Sequence, residues 1–236
     1  MTIYKMTYNA GRESVTLVNH GCNYSCRICS YRLREGMEPK RFFQAREVEG
    51  YLMETNPSMV MIMGGEPTTW CDLDRIARFC KDELQAYVRI PHSNLSNLPP
   101  AEVDQVGVSL FAIGKRKYIQ LTGGQNSRVL SNIYKVYDRG TMLAVSTILI
   151  PEFIGTDEVV RIARFLAEID DMIPFHVISY LPVPGMSWRG PNREEMNETV
   201  EACREVLRNV TGTYMTAASL FTRMDEAYLA QDVRIA

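Results

Sequence analysis

The chain has 236 residues, enough for one α/β barrel and too many for a mini-domain. Apolar residues make up 46%, charged residues 23%, and the formal net charge is -2, a globular composition with no bias that indicates nucleic acid or a membrane. The longest apolar runs, SMVMIM and MLAVSTILI, are too short to span a bilayer, and MTIYKMTYNAGRES lacks the basic-then-apolar order of a signal peptide, so a cytoplasmic protein is expected.

Short β-rich runs alternate with helical patterns from one end to the other. Strands are expected at 14 to 20 (SVTLVNH), 58 to 64 (SMVMIMG), 86 to 92 (AYVRIPH), 105 to 111 (QVGVSLF), 142 to 150 (MLAVSTILI) and 175 to 181 (FHVISYL). Between them, Leu73, Ile76, Ala77 and Cys80 form an apolar stripe of period 3.6 after an expected cap at Asp72. Val159, Ile162, Ala163 and Leu166 repeat it, with Thr156 as cap and Asp157 and Glu158 in the first turn, where the helix dipole favours them. A further helix is expected from about Asn192 to Asn209. The alternation argues for a parallel sheet buried on both faces and curled by right-handed crossovers into a partial (β/α)6 TIM-like barrel, with its core at about 14–209 and a C-terminal extension at 210–236.

In such sheets chemistry gathers at the C-terminal strand ends, and the unusual residues of this sequence fall there. GCNYSCRICSY (Gly21 to Tyr31) follows the first expected strand, GGEPT (64 to 68) the second, HSN (92 to 94) the third and GKRKY (114 to 118) the fourth. Three of the six cysteines sit at C-x3-C-x2-C spacing, as Cys22, Cys26 and Cys29. Such close spacing makes a poor disulfide staple and argues for metal or redox chemistry. Three thiolates can hold an iron-sulfur cluster with one iron left open, while three cysteines with His20 as a fourth ligand could bind zinc; the second reading is a non-enzymatic zinc or iron-sulfur module.

C-x3-C-x2-C after the first strand, with GGEP after the second, resembles the radical S-adenosylmethionine (radical SAM) superfamily, over about Ser14 to Leu181. The resemblance implies a single radical SAM domain over 1–236 whose Cys22, Cys26 and Cys29 bind a 4Fe-4S cluster, with S-adenosylmethionine (SAM) on the open iron. It also implies that Gly64, Gly65 and Glu66, with Pro67 completing the motif, lie at the SAM amino group, that Asn94 with Ser93 lies at the ribose, and that Ile28 lies near the adenine. Two glycines let a backbone approach a ligand closely, and Glu66 can accept a charge-assisted hydrogen bond from an ammonium.

GKRKYIQLTGGQNSRVLSNI and IPEFIGTDEVVRIARFLAEIDDMIPFHVISYLP resemble the pyruvate formate-lyase activating enzyme branch, whose members abstract hydrogen from a glycine of a partner protein. The branch's Asp-x-Lys appears here as Ser109, Leu110, Phe111, and its histidine as Leu181. The implied function is reductive cleavage of SAM to a 5'-deoxyadenosyl radical that takes hydrogen from a protein glycine or a small molecule, with flavodoxin or ferredoxin as low-potential electron donor. Cys80 and Cys203 read as core thiols, Cys71 as a loop position near the site, and His176 as structural, while His92 lines the pocket or stabilises its loop. Tyr31, Arg32, Arg34, Lys40, Arg41 and the basic run at Lys115 to Lys117 are weaker candidates for contacts around the cluster loop.

Overall fold

The computed structural model describes residues 2–29 and 39–215, and the backbone of 232–234. Among these residues nine strands form one sheet, in the spatial order β8-β7-β6-β5-β4-β3-β2-β1-β9. Strands β2 (Ser14–His20), β3 (Met59–Gly64), β4 (Tyr87–Ser93), β5 (Gln105–Ser109), β6 (Met142–Leu149), β7 (Phe175–Ser179) and β8 (Val210–Thr213) are parallel, each hydrogen-bonded to the next in sequence. This is the partial barrel expected from the βα alternation.

Three strands and two connections differ from the sequence expectation. The N-terminal residues form β1 (Thr2–Asn9), antiparallel to β2, and β9 (Asp232–Arg234) pairs antiparallel with β1. β8 is a seventh parallel strand, inside what was expected as an extension. No helix separates β4 from β5: residues 94 to 104 cross as turns, whereas two helices, α3 (Lys115–Thr122) and α4 (Asn126–Asp138), share the next connection.

The remaining helices are α1 (Ala45–Thr55), α2 (Leu73–Asp82), α5 (Thr156–Ala167) and α6 (Arg193–Arg204). The α2 and α5 stripes are buried as their periodicity requires. Thr156 is not the cap of α5; Gly155 holds that position, and the Thr156 hydroxyl instead meets Thr199 of α6 at 2.7 Å. Asp72 does occupy the cap position of α2, without a side-chain capping bond. α6 stops at Arg204, short of the expected end, and opens with a capping box in which Asn192 accepts from the Glu195 amide and Glu195 accepts from the Asn192 amide.

The strands are not buried equally on both faces. Val60, Ile62, Val88, Ile90, Val106 and Val108 are fully buried against the helix layer. Their alternates, such as Met61, Met63, Arg89, Gln105, Ser109 and Ser146, are half-buried on the other face. Right-handed crossovers place helices on one side only, so the concave side of a partial barrel stays open to a ligand. Cys80 and Cys203 are both buried in the core.

Candidate functional site

The cysteine loop leaves β2 at Gly21, whose φ of 91° suits a glycine. Cys22 is exposed and Cys26 and Cys29 are half-buried. The loop is held from the far end of α3: the Ser25 amide donates to Thr122 O at 3.1 Å and the Arg27 amide to Leu121 O at 2.8 Å. A Cβ on Gly123 would stand 2.6 Å from the Ser25 hydroxyl, and one on Gly124 would stand 2.3 Å from the Tyr24 ring. LTGGQ is therefore the seat of the cysteine loop, a role its sequence position does not announce.

α3 is in turn fixed by a buried carboxylate on α5. Glu158, 2% exposed, accepts from the amides of Ile113 and Gly114 at 2.9 and 2.8 Å, and Lys117 and Arg161 pair with it. Lys117 is thereby occupied, while Lys115 and Arg116 are exposed.

The GGEP segment is bound directly to the root of the same loop. The Gly65 amide donates to Asn19 O at 2.9 Å and the Glu66 amide to Gly21 O at 2.8 Å, while Asn19 Nδ2 donates back to Glu66 O at 3.0 Å. Gly64 has a φ of 120°, and a Cβ there would lie 2.2 Å from Asn19 O. A Cβ on Gly65 would lie 1.9 Å from Gly21 O. Close approach is indeed why these positions are glycine, but what they approach in this structure is the Asn19–Gly21 backbone.

Glu66 is 1% exposed and has no cationic partner among the described residues. Its Oε1 accepts from the Thr68 amide, the Thr68 hydroxyl and the Ser93 hydroxyl at 3.1, 2.7 and 2.7 Å, and its Oε2 accepts from the Asn94 amide at 2.5 Å. Four neutral donors hold the carboxylate in place and leave its charge uncompensated, with acceptor capacity remaining on Oε2. Pro67 is buried at the start of a short 3-10 turn that this carboxylate caps.

Asn94 spans from Glu66 to the cysteines. Its Nδ2 donates to Asn23 Oδ1 at 2.9 Å and lies 3.8 Å from Cys22 Sγ, and its Oδ1 accepts from the Ser96 amide. Asn23 reaches Ser96 in the other direction, and Asn132 of α4 holds the turn by donating to Leu95 O at 2.9 Å. Leu95 is buried with a φ of 51°, a left-handed conformation uncommon for leucine, so this turn is held against strain. Ile28 packs half-buried against the core.

Burial pushes the Cys26 thiol up to about 12, with the charges of Cys22 and Cys29 adding to it; the thiol of Cys22, exposed on one side, is raised by desolvation on its protein-facing side, with Glu66 and Cys29 contributing. The three sulfurs thus lie within electrostatic reach of one another. Among the described residues no three His, Cys, Asp or Glu side chains are gathered as a ready metal site. A metal group would have to displace the thiol protons and draw the sulfurs together. His20, the proposed zinc ligand, packs edge-on to Tyr4 and Phe42 with centroids 5.9 and 5.6 Å away. The donor set fits an iron-sulfur cluster held by three thiolates, and the uncompensated Glu66 beside it fits an ammonium group.

The other sequence candidates divide. Cys71 is exposed, 3.7 Å from Asp72 Oδ2. His176 lies in β7 and bonds both Thr211 and Thr213 of β8, a structural role. Lys40 is exposed, and Arg41 is engaged with Glu47 and the Phe43 ring. Tyr31, Arg32 and Arg34 lie outside the described residues. Ser109 and Phe111 are half-buried and Leu110 is fully buried. Sequence reasoning did not single out Asn19, Asn23, Ser96, Thr122 or Asn132; the first four had as their one signal a polar residue near a strand end or a glycine turn, and Asn132, in the middle of α4, had none.

No family model matches this sequence. It is 28% identical over 211 residues to the putative glycyl-radical enzyme activating enzyme MJ1632 of Methanocaldococcus jannaschii, covering 84% of this chain and 80% of that one. Its backbone matches that of SuiB from Streptococcus suis, solved with S-adenosylmethionine bound, at a TM-score of 0.63 and 19% identity over 87% of this chain and 50% of SuiB. These likenesses support the resemblance to the radical SAM family, and the match to SuiB shows a shared fold. A probable GTP 3',8-cyclase of Pyrococcus horikoshii is 26% identical over 64% of this chain and 51% of its own length. This chain thus spans most of MJ1632 and about half of the cyclase and of SuiB. No helix among the described residues is long and apolar enough to cross a membrane.

Proposed function

We propose that this chain reductively cleaves S-adenosylmethionine, with Cys22, Cys26 and Cys29 holding a 4Fe-4S cluster, and so initiates hydrogen abstraction from a substrate. When bound, the cluster and SAM supply one electron and a carbon-sulfur bond that breaks to methionine and a 5'-deoxyadenosyl radical. The observation that carries this reading is the joining of two motifs at one place: the Glu66 carboxylate, without a cationic partner among the described residues, accepts from the amide of Asn94, whose side chain contacts Cys22, and the Glu66 amide is bonded to Gly21.

The chain's own residues bind and orient. Glu66 accepts the SAM ammonium on Oε2, held in place by its bonds from Thr68, Ser93 and Asn94. Asn94 and Ser93 border the ribose, and Ile28 gives the adenine an apolar wall. The half-buried concave face below them limits water around the reacting atoms. Arg27, exposed in the cysteine loop, with Lys115 and Arg116 exposed at the start of the helix that carries that loop at its other end, suits the acidic face of a low-potential flavodoxin or ferredoxin in the cytoplasm. The likeness to MJ1632 supports a glycine of a partner protein as one substrate class; Ser109, Leu110 and Phe111 in place of Asp-x-Lys support a different substrate, such as a small molecule.

The deciding experiment reconstitutes the protein anaerobically, adds dithionite and SAM, and assays 5'-deoxyadenosine. The wild type is expected to form it and Cys26→Ala to form none above background. Stoichiometric zinc without sulfide in the anaerobically purified protein would overturn the reading.

A further inference from the structure

Strands β1 to β8 contain no aspartate or glutamate. Their potentially cationic side chains are Lys5, Arg89 and all three histidines of the chain, His20, His92 and His176. The sheet is therefore biased toward positive charge, in a chain whose overall charge is slightly negative.

Arg89 stands out within that pattern. It pairs in register with Met61 of β3 and Gln105 of β5, on the concave face opposite the helix-covered Val88 and Ile90. Its Nε is buried without a partner, and no described residue gives its guanidinium a hydrogen bond or an ion pair. Other arginines of this protein are engaged: Arg75 grips Glu49 through two nitrogens, Arg139 holds the carbonyls of Pro99 and Pro100, and Arg189 holds Glu195. Asp104, a carboxylate close enough to act on the neighbouring Tyr87, is already taken by Lys81 at 2.9 Å and by the Val88 amide at 2.7 Å. Three residues further along the strand, His92 is exposed at the surface, and desolvation on its protein-facing side, then the charge of Arg89, hold its imidazole below the ordinary value.

An unpartnered guanidinium in a low-dielectric setting costs free energy, and its planar fork of donors is shaped for an oxyanion. Arg89 lies four residues before Ser93, about 13 Å along the strand, so an anion held there puts the rest of a small molecule below the Glu66 end of the barrel. We propose that Arg89 is a binding residue for an oxyanion, a carboxylate or a phosphoryl group, of a small-molecule substrate seated in the concave face of the sheet. This deepens the proposed function and takes from it the position of the reacting end.

The test titrates inorganic phosphate and succinate, separately and at low salt, into the full-length protein and into Arg89→Gln and Arg89→Lys by calorimetry. At least one anion should bind the wild type, weaken tenfold or more in Arg89→Gln and recover in part in Arg89→Lys; tighter phosphate assigns a phosphoryl group and tighter succinate a carboxylate. Equal affinity for wild type and Arg89→Gln would overturn the proposal. So would a lower melting temperature of Arg89→Gln, because that variant removes an unpaired charge and is expected to melt at or above the wild type. The anion titration is repeated on reconstituted wild type with excess SAM. Unchanged affinity is expected, and competition would assign Arg89 to SAM and overturn the proposal. If the wild type forms no 5'-deoxyadenosine while the anion result holds, the SAM reading fails and the oxyanion site stands.

Discussion

Gly65 and Gly21 touch so closely that a single methyl group on Gly65 would stand 1.9 Å from the Gly21 carbonyl oxygen. That contact joins the second motif of the sequence to the root of the first. Gly65→Ala is expected to be destabilising by roughly 1–3 kcal/mol, the usual range for forced overpacking, and to lower the melting temperature. Gly50, in the exposed middle of α1 with nothing within 4 Å of a new Cβ, is the control: Gly50→Ala should gain about 0.5–1 kcal/mol from helix propensity. Denaturant unfolding of both variants checks the pair, and equal effects would contradict the packing argument.

Gly124→Ala should act on the cluster rather than on the barrel. The new methyl would meet the Tyr24 ring, which lies between Cys22 and Cys26 and whose hydroxyl donates to Gln125 O at 3.2 Å. Iron content after anaerobic reconstitution is expected to fall well below that of the wild type, with a smaller change in melting temperature than Gly65→Ala produces. Full iron loading would show that the seat on α3 is dispensable.

Glu66→Gln keeps the shape of the side chain and removes its charge. Its amide nitrogen cannot accept from one of the donors now bonded to the carboxylate, a loss of about 1–3 kcal/mol for a buried unsatisfied group. The variant should melt lower and bind SAM at least tenfold more weakly when reconstituted. A wild-type SAM affinity would remove Glu66 from the ammonium site.

Glu195 provides the pH test. Hydrogen bonds from Arg189 first, then from the Asn192 amide, hold its carboxyl down at about 2. A carboxyl depressed in the fold stabilises above its unfolded value, near 4.3, and that stability is lost as pH falls through the folded one. Glu195→Gln retains a side chain suited to the capping box but not the charge facing Arg189. The variant should be less stable than the wild type at neutral pH, and the gap should narrow between about pH 4 and pH 2, measured by thermal melts across that range. A gap independent of pH would contradict the ion pair.

Much of this fold was legible because its signals are local. The alternation of β-branched runs with period-3.6 stripes located all six expected strands, and Leu73, Ile76, Ala77 and Cys80 went to the core as their spacing requires. β1 was not read because Lys5 and Thr7 alternate with Met6 in a polar-looking segment whose partner is β2, and β8 because VTGT has too few residues to show a period. Thr156 looked like a cap by composition, but Gly155 already has the extended backbone a cap needs, and packing against α6 gave the threonine hydroxyl another partner.

The sequence by itself determined the cysteine spacing, the GGEP motif and the order of the strands, because thiol chemistry, glycine conformation and strand periodicity act over a few residues. Only the tertiary structure decided that Gly64 and Gly65 face the Asn19–Gly21 backbone, that Thr122, Gly123 and Gly124 carry a loop about a hundred residues earlier in the chain, and that Arg89 is left without a counter-charge among the described residues. The physical reason is that these are relations between backbone segments brought together by crossovers. Whether a glycine is needed or a charge is paired depends on what the next strand places beside it.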